Sequence, residues 1–325
     1  MSNRGVLAGA MVAVLLCAVA ASAQEVRQFS PASVLVMPFD ATANKASFQI
    51  VSRIGPSVSA AAIQTHWIFY AADCRHLVNV TVWLTENDTI VMDPRAVQGQ
   101  NQALNPPENN AVGSVTDLSG ERGVVTVTAQ VPDGGSSLQL IGGWNIADTT
   151  TNAAFGADAI GLVDERVLPD PGLLDGGLFL PSFDPSVLGD SQVIAIGLEA
   201  EGDGIVPIPR PSDELDGAHV CCDVGFVDNL EAGFSLPTFC FECVGFATMA
   251  GVIEPGEVPL IPPSSAVTSP GFIQLRNCRS GNFDGSADVI GQGDFQHFIF
   301  AFHGQAIGPF GAAMSGTYTR MSMNQ

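Results

Sequence analysis

Residues 65–93, THWIFYAADCRHLVNVTVWLTENDTIVMD, contain the clearest strand periodicity in the sequence. From 78 to 84 apolar residues alternate with Asn, Thr and Trp, which is the period of a strand with one buried face. A β-branched and aromatic run at 64–70 precedes them, and Cys74 lies in the polar break between the two runs. We therefore predict a β-hairpin with Cys74 near its tip, followed by a third short strand at 89–92.

Short alternating runs of this kind recur along the chain. They predict further strands at 34–37, 46–51, 124–131, 138–144, 192–198, 241–249, 272–275 and 296–303. Asp133-Gly134-Gly135 predicts a turn that joins 124–131 and 138–144 as a second hairpin. Residues from about 160 to 217 are rich in Gly, Pro and Asp, and we interpret them as a loop-rich excursion. The pattern predicts an all-β fold, an antiparallel β-sandwich with long Pro/Gly/acidic loops, formed as one body by residues 24–325.

The first 23 residues have the pattern of a secretory signal peptide. Arg4 is followed by an apolar run and by Ala21-Ser22-Ala23, a small-residue cleavage signal. We expect an exported protein that is periplasmic, cell-surface or extracellular, with no integral membrane segment after cleavage. The formal net charge of −21 disfavours nucleic acid as a partner, since such partners need basic patches. A cell-surface or carbohydrate partner is compatible with this charge, and no cofactor is implied.

Six cysteines remain once Cys17 leaves with the signal peptide. An even number in an exported chain favours disulfides, and the candidates are Cys74, Cys221, Cys222, Cys240, Cys243 and Cys278. The sequence does not determine how they pair. One interpretation is a local Cys240–Cys243 bond, which would leave Cys74 to join the N-terminal hairpin to one of the other three.

A zinc site is the alternative for part of this set. The spacing of Cys221, Cys222, Cys240 and Cys243, with His219 beside them, resembles that of a tetrahedral site built from two pairs of ligands. The first pair is vicinal and the chain is exported, so disulfides are favoured.

A second candidate metal site is the acidic segment that contains Asp284, Ser286 and Asp288. Its oxygen ligands alternate as in a calcium loop, but Val289 replaces the usual turn glycine and Phe295 replaces the usual Glu. A plain acidic turn is the favoured interpretation.

Several segments resemble a loosely defined group of exported bacterial β-sandwich proteins. The matching pieces are the opening VLVMP at 34–38, WIFY at 67–70 with the nearby Cys74, LTENDT at 84–89, DAIG at 158–161 and the closing segment at 300–311. The resemblance implies an exported β-sandwich and implies no activity, ligand or catalytic residue.

No catalytic motif stands out in the sequence: it contains no G-x-S-x-G, H-E-x-x-H or P-loop. We therefore favour a non-catalytic structural, surface or recognition protein. One alternative is a carbohydrate or small-ligand binding module that uses Trp83 and Trp144 on solvent-facing surfaces for stacking. The other is a hydrolase, either a glycosidase or a metal-dependent enzyme, whose catalytic residues the sequence does not identify.

Overall fold

A computed structural model of the protein shows an all-β chain. It describes residues 31–54, 62–99, 115–130, 138–149, 153–163, 166–167, 178–183, 191–201, 204–207, 218–248, 258–260, 271–282, 296–307, 312–313 and 317–323. Strands account for 73% of these residues, and the one helical element among them is a 3₁₀ turn at Pro94–Ala96. No helix in these ranges has the length and apolarity needed to cross a membrane. The all-β prediction is confirmed.

The N-terminal half of the described chain forms two sheets. Sheet 1 contains β1 (Val34–Asp40), β3 (Ala62–Ala71), β4 (His76–Thr85), β6 (Arg122–Gln130), β9 (Ile160–Val163) and β10 (Arg166–Val167), in the order β10-β9-β1-β6-β3-β4. Sheet 2 contains β2 (Lys45–Arg53), β5 (Thr89–Met92), β7 (Leu140–Asp148) and β8 (Ala153–Asp158), in the order β5-β2-β7-β8. Neighbouring strands within both sheets are antiparallel.

Two further sheets follow in the C-terminal half. Sheet 3 contains β12 (Ser191–Glu201), β13 (Gly204–Pro207), β16 (Val244–Thr248), β17 (Val258–Pro259), β19 (Gln296–Ile307), β20 (Ala312–Ala313) and β21 (Thr317–Met323), with β12 paired to β16 and β19. Sheet 4 contains β11 (Leu178–Phe183), β14 (Ala218–Asp228), β15 (Gly233–Phe241) and β18 (Gly271–Asn282), in the order β11-β18-β14-β15. Among the described strands, β16 and β17 form the one parallel pair.

Sheet 3 separates two hydrophobic cores in the described part of the molecule. Ile194 and Ile196 of β12 belong to the core that sheets 1 and 2 also line. Val193 and Ala195, the alternate residues of the same strand, belong to the core lined by sheet 4. Successive side chains of a strand point to opposite faces, so β12 is buried on both sides. Its apolar run, predicted as a buried strand, is confirmed.

The predicted hairpin of the opening stretch is confirmed as β3 and β4. Ile63 lies opposite Leu84 and Thr65 opposite Val82, which gives the hairpin one buried face. Cys74 lies in the connecting turn with a positive φ of 63°, a backbone conformation that few residues other than glycine adopt.

One prediction about the connections is wrong. β6 and β7 do not form a hairpin, because β6 pairs with β1 and β3 in sheet 1 whereas β7 pairs with β2 and β8 in sheet 2. The loop-rich excursion at about 160–217 stays a prediction, and the described residues within it form β9 to β13. β9 extends sheet 1 beside β1, and β11 extends sheet 4 beside β18.

Candidate functional site

Strand β2 turns its more polar set of alternating side chains toward the protein interior. Its inward-facing side chains are all at most 2% exposed, and they are Lys45, Ser47, Gln49, Val51 and Arg53. Buried polar side chains cost free energy unless they find hydrogen-bond or charge partners. Nε2 of Gln49 finds two, donating to the Pro38 carbonyl at 3.1 Å and to Oγ of Ser47 at 2.8 Å. The polar row of β2 is thus tied to sheet 1 behind it.

Lys45 and Asp148 form a buried ion pair at one end of sheet 2. The two residues lie opposite each other in the β2–β7 ladder, and Nζ of Lys45 donates to Oδ2 of Asp148 at 2.6 Å. Their side chains are 1% and 6% exposed. Arg95 packs against the same corner, with Nη2 donating to the carbonyls of Thr42 at 2.8 Å and Lys45 at 2.5 Å. The single lysine of the chain is therefore a structural residue of the inner row.

Arg53 occupies the other end of the inner row. Its Nε donates to Oε1 of Gln139 at 2.9 Å, and its Nη1 donates to the Leu84 carbonyl at 3.0 Å. Burial lowers the pKa of the Arg53 guanidinium, and the charge of Glu86 acts against that lowering. Arg53 links sheet 2 to the edge strand β4 of sheet 1.

The opposite side of β2 carries apolar side chains that point away from the core. Phe48 is 38% exposed and Ile50 is 39% exposed, and Val91, which lies opposite Ile50 on β5, is 56% exposed. We call this side of sheet 2 the outer face. The ladder registers assign to it Ala46, Phe48, Ile50, Ser52, Thr89, Val91, Ile141, Gly143, Asn145, Ala147, Ala154, Gly156 and Asp158.

The outer face is almost free of charge. Asp158, at the end of edge strand β8, is the one ionisable residue among the described positions assigned to this face. Burial raises the pKa of the Asp158 carboxyl. The whole chain, in contrast, has 33 acidic and 12 basic residues. A nearly neutral sheet face therefore lies on a strongly acidic protein, with Phe48, Ile50 and Val91 exposed on it and most of its other positions half-buried. Exposed apolar patches commonly mark binding sites.

The two tryptophans predicted to stack on ligands differ in exposure. Trp144 lies on β7 with its side chain turned inward and only 3% exposed. Its proposed stacking role is wrong, because the inward row of β7 also contains Leu140 and Ile146 and belongs to the first core. Trp83 is half-buried on β4, on the side opposite Val82, so a stacking role at that position remains a prediction.

The cysteines form disulfides, with pairings that differ from the sequence interpretation. Cys74 bonds to Cys243 across 169 residues of sequence, and Cys221 bonds to Cys240 across 19. The local Cys240–Cys243 pairing is wrong, because Cys240 lies opposite Cys221 in the β14–β15 ladder while Cys243 contributes to the first core. Cys74 therefore does not bond to Cys221, Cys222 or Cys278. Cys222 is disulfide-bonded as well.

The zinc interpretation is wrong for the same reason. The sulfurs of Cys221, Cys222, Cys240 and Cys243 all take part in disulfides and cannot act as thiolate ligands. In the ranges that the structure describes, no three His, Cys, Asp or Glu side chains are arranged to hold a metal ion. The side chains of His219 and Cys278 lie outside those described, as do the calcium-loop candidates Asp284, Ser286 and Asp288.

His66, on the side of β3 that faces away from Trp67, gives the protein a pH-dependent element. Burial lowers the pKa of His66 from its ordinary value of 6.5, and the nearby His76 adds to the lowering. As the pH falls below 6.5, the unfolded chain binds this proton before the folded chain does, so stability decreases toward the lower folded pKa. We expect His66→Gln to flatten the stability curve between about pH 7 and pH 5. Urea unfolding at a series of pH values measures this, and a variant curve parallel to that of the wild type would contradict it.

The comparisons with known proteins add no assignment: no family model, no curated protein and no solved structure matches the chain.

Proposed function

We propose that the protein is an exported structural or recognition module that binds a macromolecular partner through the outer face and catalyses no reaction. The orientation of β2 is the observation that supports this proposal most directly. Turning the strand over would bury Phe48 and Ile50 and would return Lys45 and Arg53 to solvent. Each large apolar side chain gains about 1.5–3 kcal/mol on burial. The observed orientation leaves Phe48 38% and Ile50 39% exposed, so it forgoes part of that gain, and it requires an inner network of polar partners.

This orientation makes sense for a protein whose apolar face is buried by a partner. Apolar area removed from water at an interface then recovers stabilisation that the isolated chain lacks. The partner also removes an exposed apolar sheet surface that would otherwise promote aggregation. The buried ion pair and the Arg53 hydrogen bonds hold β2 so that Phe48, Ile50 and Val91 keep this position.

The disulfides support the compartment assumed in the proposal. Disulfides form and persist in oxidising surroundings outside the cytoplasm. Cys74–Cys243 joins sheet 1 to the segment between β15 and β16, and Cys221–Cys240 links two strands of sheet 4. Such cross-links would stabilise a module that has to keep a fixed binding surface outside the cytoplasm.

Site-specific photo-cross-linking in the cells that produce the protein tests this function. Benzoylphenylalanine replaces Ile50 on the outer face, and in a matched variant it replaces Val115, which is 54% exposed elsewhere. We expect irradiation to give a defined adduct from position 50 and none from position 115. Absence of an adduct from position 50, or equal adducts from both positions, would refute the assignment of the outer face as the functional surface.

A further inference from the structure

The outer face has the properties of a surface that recognises itself. We propose that it binds the outer face of a second copy of this chain, giving a two-fold symmetric dimer. This inference rests on the function proposed above and names the partner. In a two-fold interface the same patch is used by both copies, so that patch must be complementary to itself in shape and in charge.

Charge favours a second copy over a basic partner. Two chains that each carry a net charge of −21 repel one another at most approaches. The outer face avoids this repulsion because its rows are uncharged apart from Asp158 at the β8 edge. A basic partner would gain nothing at these uncharged rows and would be drawn to the carboxylates elsewhere on the surface.

The relief of the outer face is also self-complementary. Its bulky side chains, Phe48, Ile50 and Val91, lie together on β2 and β5. The neighbouring strands β7 and β8 present a lower floor made mainly of small residues, namely Gly143, Ala147, Ala154 and Gly156, with the larger Ile141 and Asn145 among them. A two-fold axis that lies in the interface, parallel to the strands and above the boundary between these halves, places the ridge of each copy over the floor of the other. Two sheets packed face to face in this way form an aligned interface.

The size of the face predicts a weak dimer. The strands have four to nine residues, and at a spacing of about 4.8 Å and a rise of about 3.3 Å they cover roughly 450 Å² in projection. Two such faces lie at the lower end of specific interfaces, where association is transient. We expect a dissociation constant of about 10–100 µM.

Sedimentation velocity of the purified, disulfide-intact protein between about 1 and 300 µM tests this inference. The wild type should shift from monomer to dimer as its concentration rises. Ile50→Glu should weaken the dimer at least about a hundredfold, because a two-fold interface buries the unpaired charge twice. Val115→Glu adds the same charge outside the face and should dimerise as the wild type does.

Two further variants keep the test decisive if Ile50→Glu fails to fold. Val91→Glu changes a more exposed position on edge strand β5 and should also abolish the dimer. Asp158→Asn removes the one carboxylate of the face and should strengthen association several-fold.

The outcomes separate the two proposals. The dimer proposal is refuted if the wild type stays monomeric at about 300 µM, the highest concentration of the series. It is also refuted if the Ile50→Glu variant dimerises like the wild type. If position 50 then still cross-links to a different protein, the proposed binding function stands without self-association. If position 50 cross-links to nothing, both proposals fail.

Discussion

Replacing Cys74 and Cys243 together by alanine should lower the free energy of unfolding by about 5 kcal/mol. The bond closes a loop of 169 residues, the longer of the two disulfide-closed loops that the structure describes. A cross-link restricts the unfolded chain by an amount that grows with loop length, and the chain-entropy relation gives this value for a loop of that size. Both sulfurs are also buried, Cys74 at 3% and Cys243 at 0% exposure.

The position of this disulfide explains why its loss should affect the whole molecule. It fixes the β3–β4 turn against the segment that begins β16, where the backbone N–H of Cys243 donates to the Ala72 carbonyl at 3.1 Å. The Ala72 N–H in turn donates to the Arg122 carbonyl at 2.8 Å. The turn therefore joins β3, β6 and β16, and it links sheet 1 to sheet 3 across the first core.

Guanidinium unfolding followed by tryptophan fluorescence measures this effect. The matched control is the Cys221→Ala/Cys240→Ala double variant, which opens a loop of 19 residues within one β14–β15 ladder. The same relation gives about 3 kcal/mol for that loop. The expected order is a larger loss for the Cys74/Cys243 variant. A reversed order would show that the long-range bond does not hold sheets 1 and 3 together.

Lys45→Met should destabilise the protein by about 3–5 kcal/mol. The substitution keeps the length of the side chain and its apolar stem but removes the ammonium from a site where it is 1% exposed. Asp148 then keeps a buried carboxylate without the ammonium at 2.6 Å that balances its charge. Breaking one half of a buried ion pair is costly for this reason, whereas the intact pair itself gives little net stabilisation.

A double-mutant cycle with Asp148→Leu separates these two effects. Urea unfolding of the wild type, the two single variants and Lys45→Met/Asp148→Leu gives the coupling free energy between the side chains. We expect each single variant to be strongly destabilised and the double variant to recover most of the loss, because apolar pairs of similar volume substitute well for buried ion pairs. Additive losses in the double variant would mean that the ion pair does not determine the stability of this corner.

The same cycle connects the inner row to the proposed function. The double variant changes the buried side of β2 and leaves Phe48, Ile50 and Val91 in place. If it folds as expected, its association should match that of the wild type. The inner polar row then acts by holding β2 in its orientation, and the outer side chains make the contacts.

Local sequence was sufficient to predict strand pairing where both strands lie close together in the chain. The hairpin of β3 and β4 is such a case, because its alternation, its polar break and its turn are contained in about twenty residues. The buried run of β12 was also recognisable, since a continuous apolar strand is needed wherever both faces are covered. These elements could be predicted because the alternation of apolar and polar residues, or its absence, is visible within each strand's own sequence.

The sheet to which each strand belongs could not be predicted from local sequence. β6 and β7 follow one another with turn residues between them, yet each completes a different sheet. β5 follows β4 after a short turn but pairs with β2. A strand's alternation shows that it has two unlike faces; it does not show which partner offers hydrogen bonds on either edge, because that depends on residues far away in the chain.

The amino-acid sequence by itself determined an all-β chain, the central hairpin and a set of cysteines suited to disulfides. Only the tertiary structure decided that Cys74 bonds to Cys243, because their proximity results from the packing of sheet 1 against sheet 3. It also decided the orientation of β2. The alternation in KASFQIVSR is equally compatible with either face inward, and partners distant in sequence, such as Asp148, favour the polar one. The outer face therefore follows from long-range packing that local patterns do not contain.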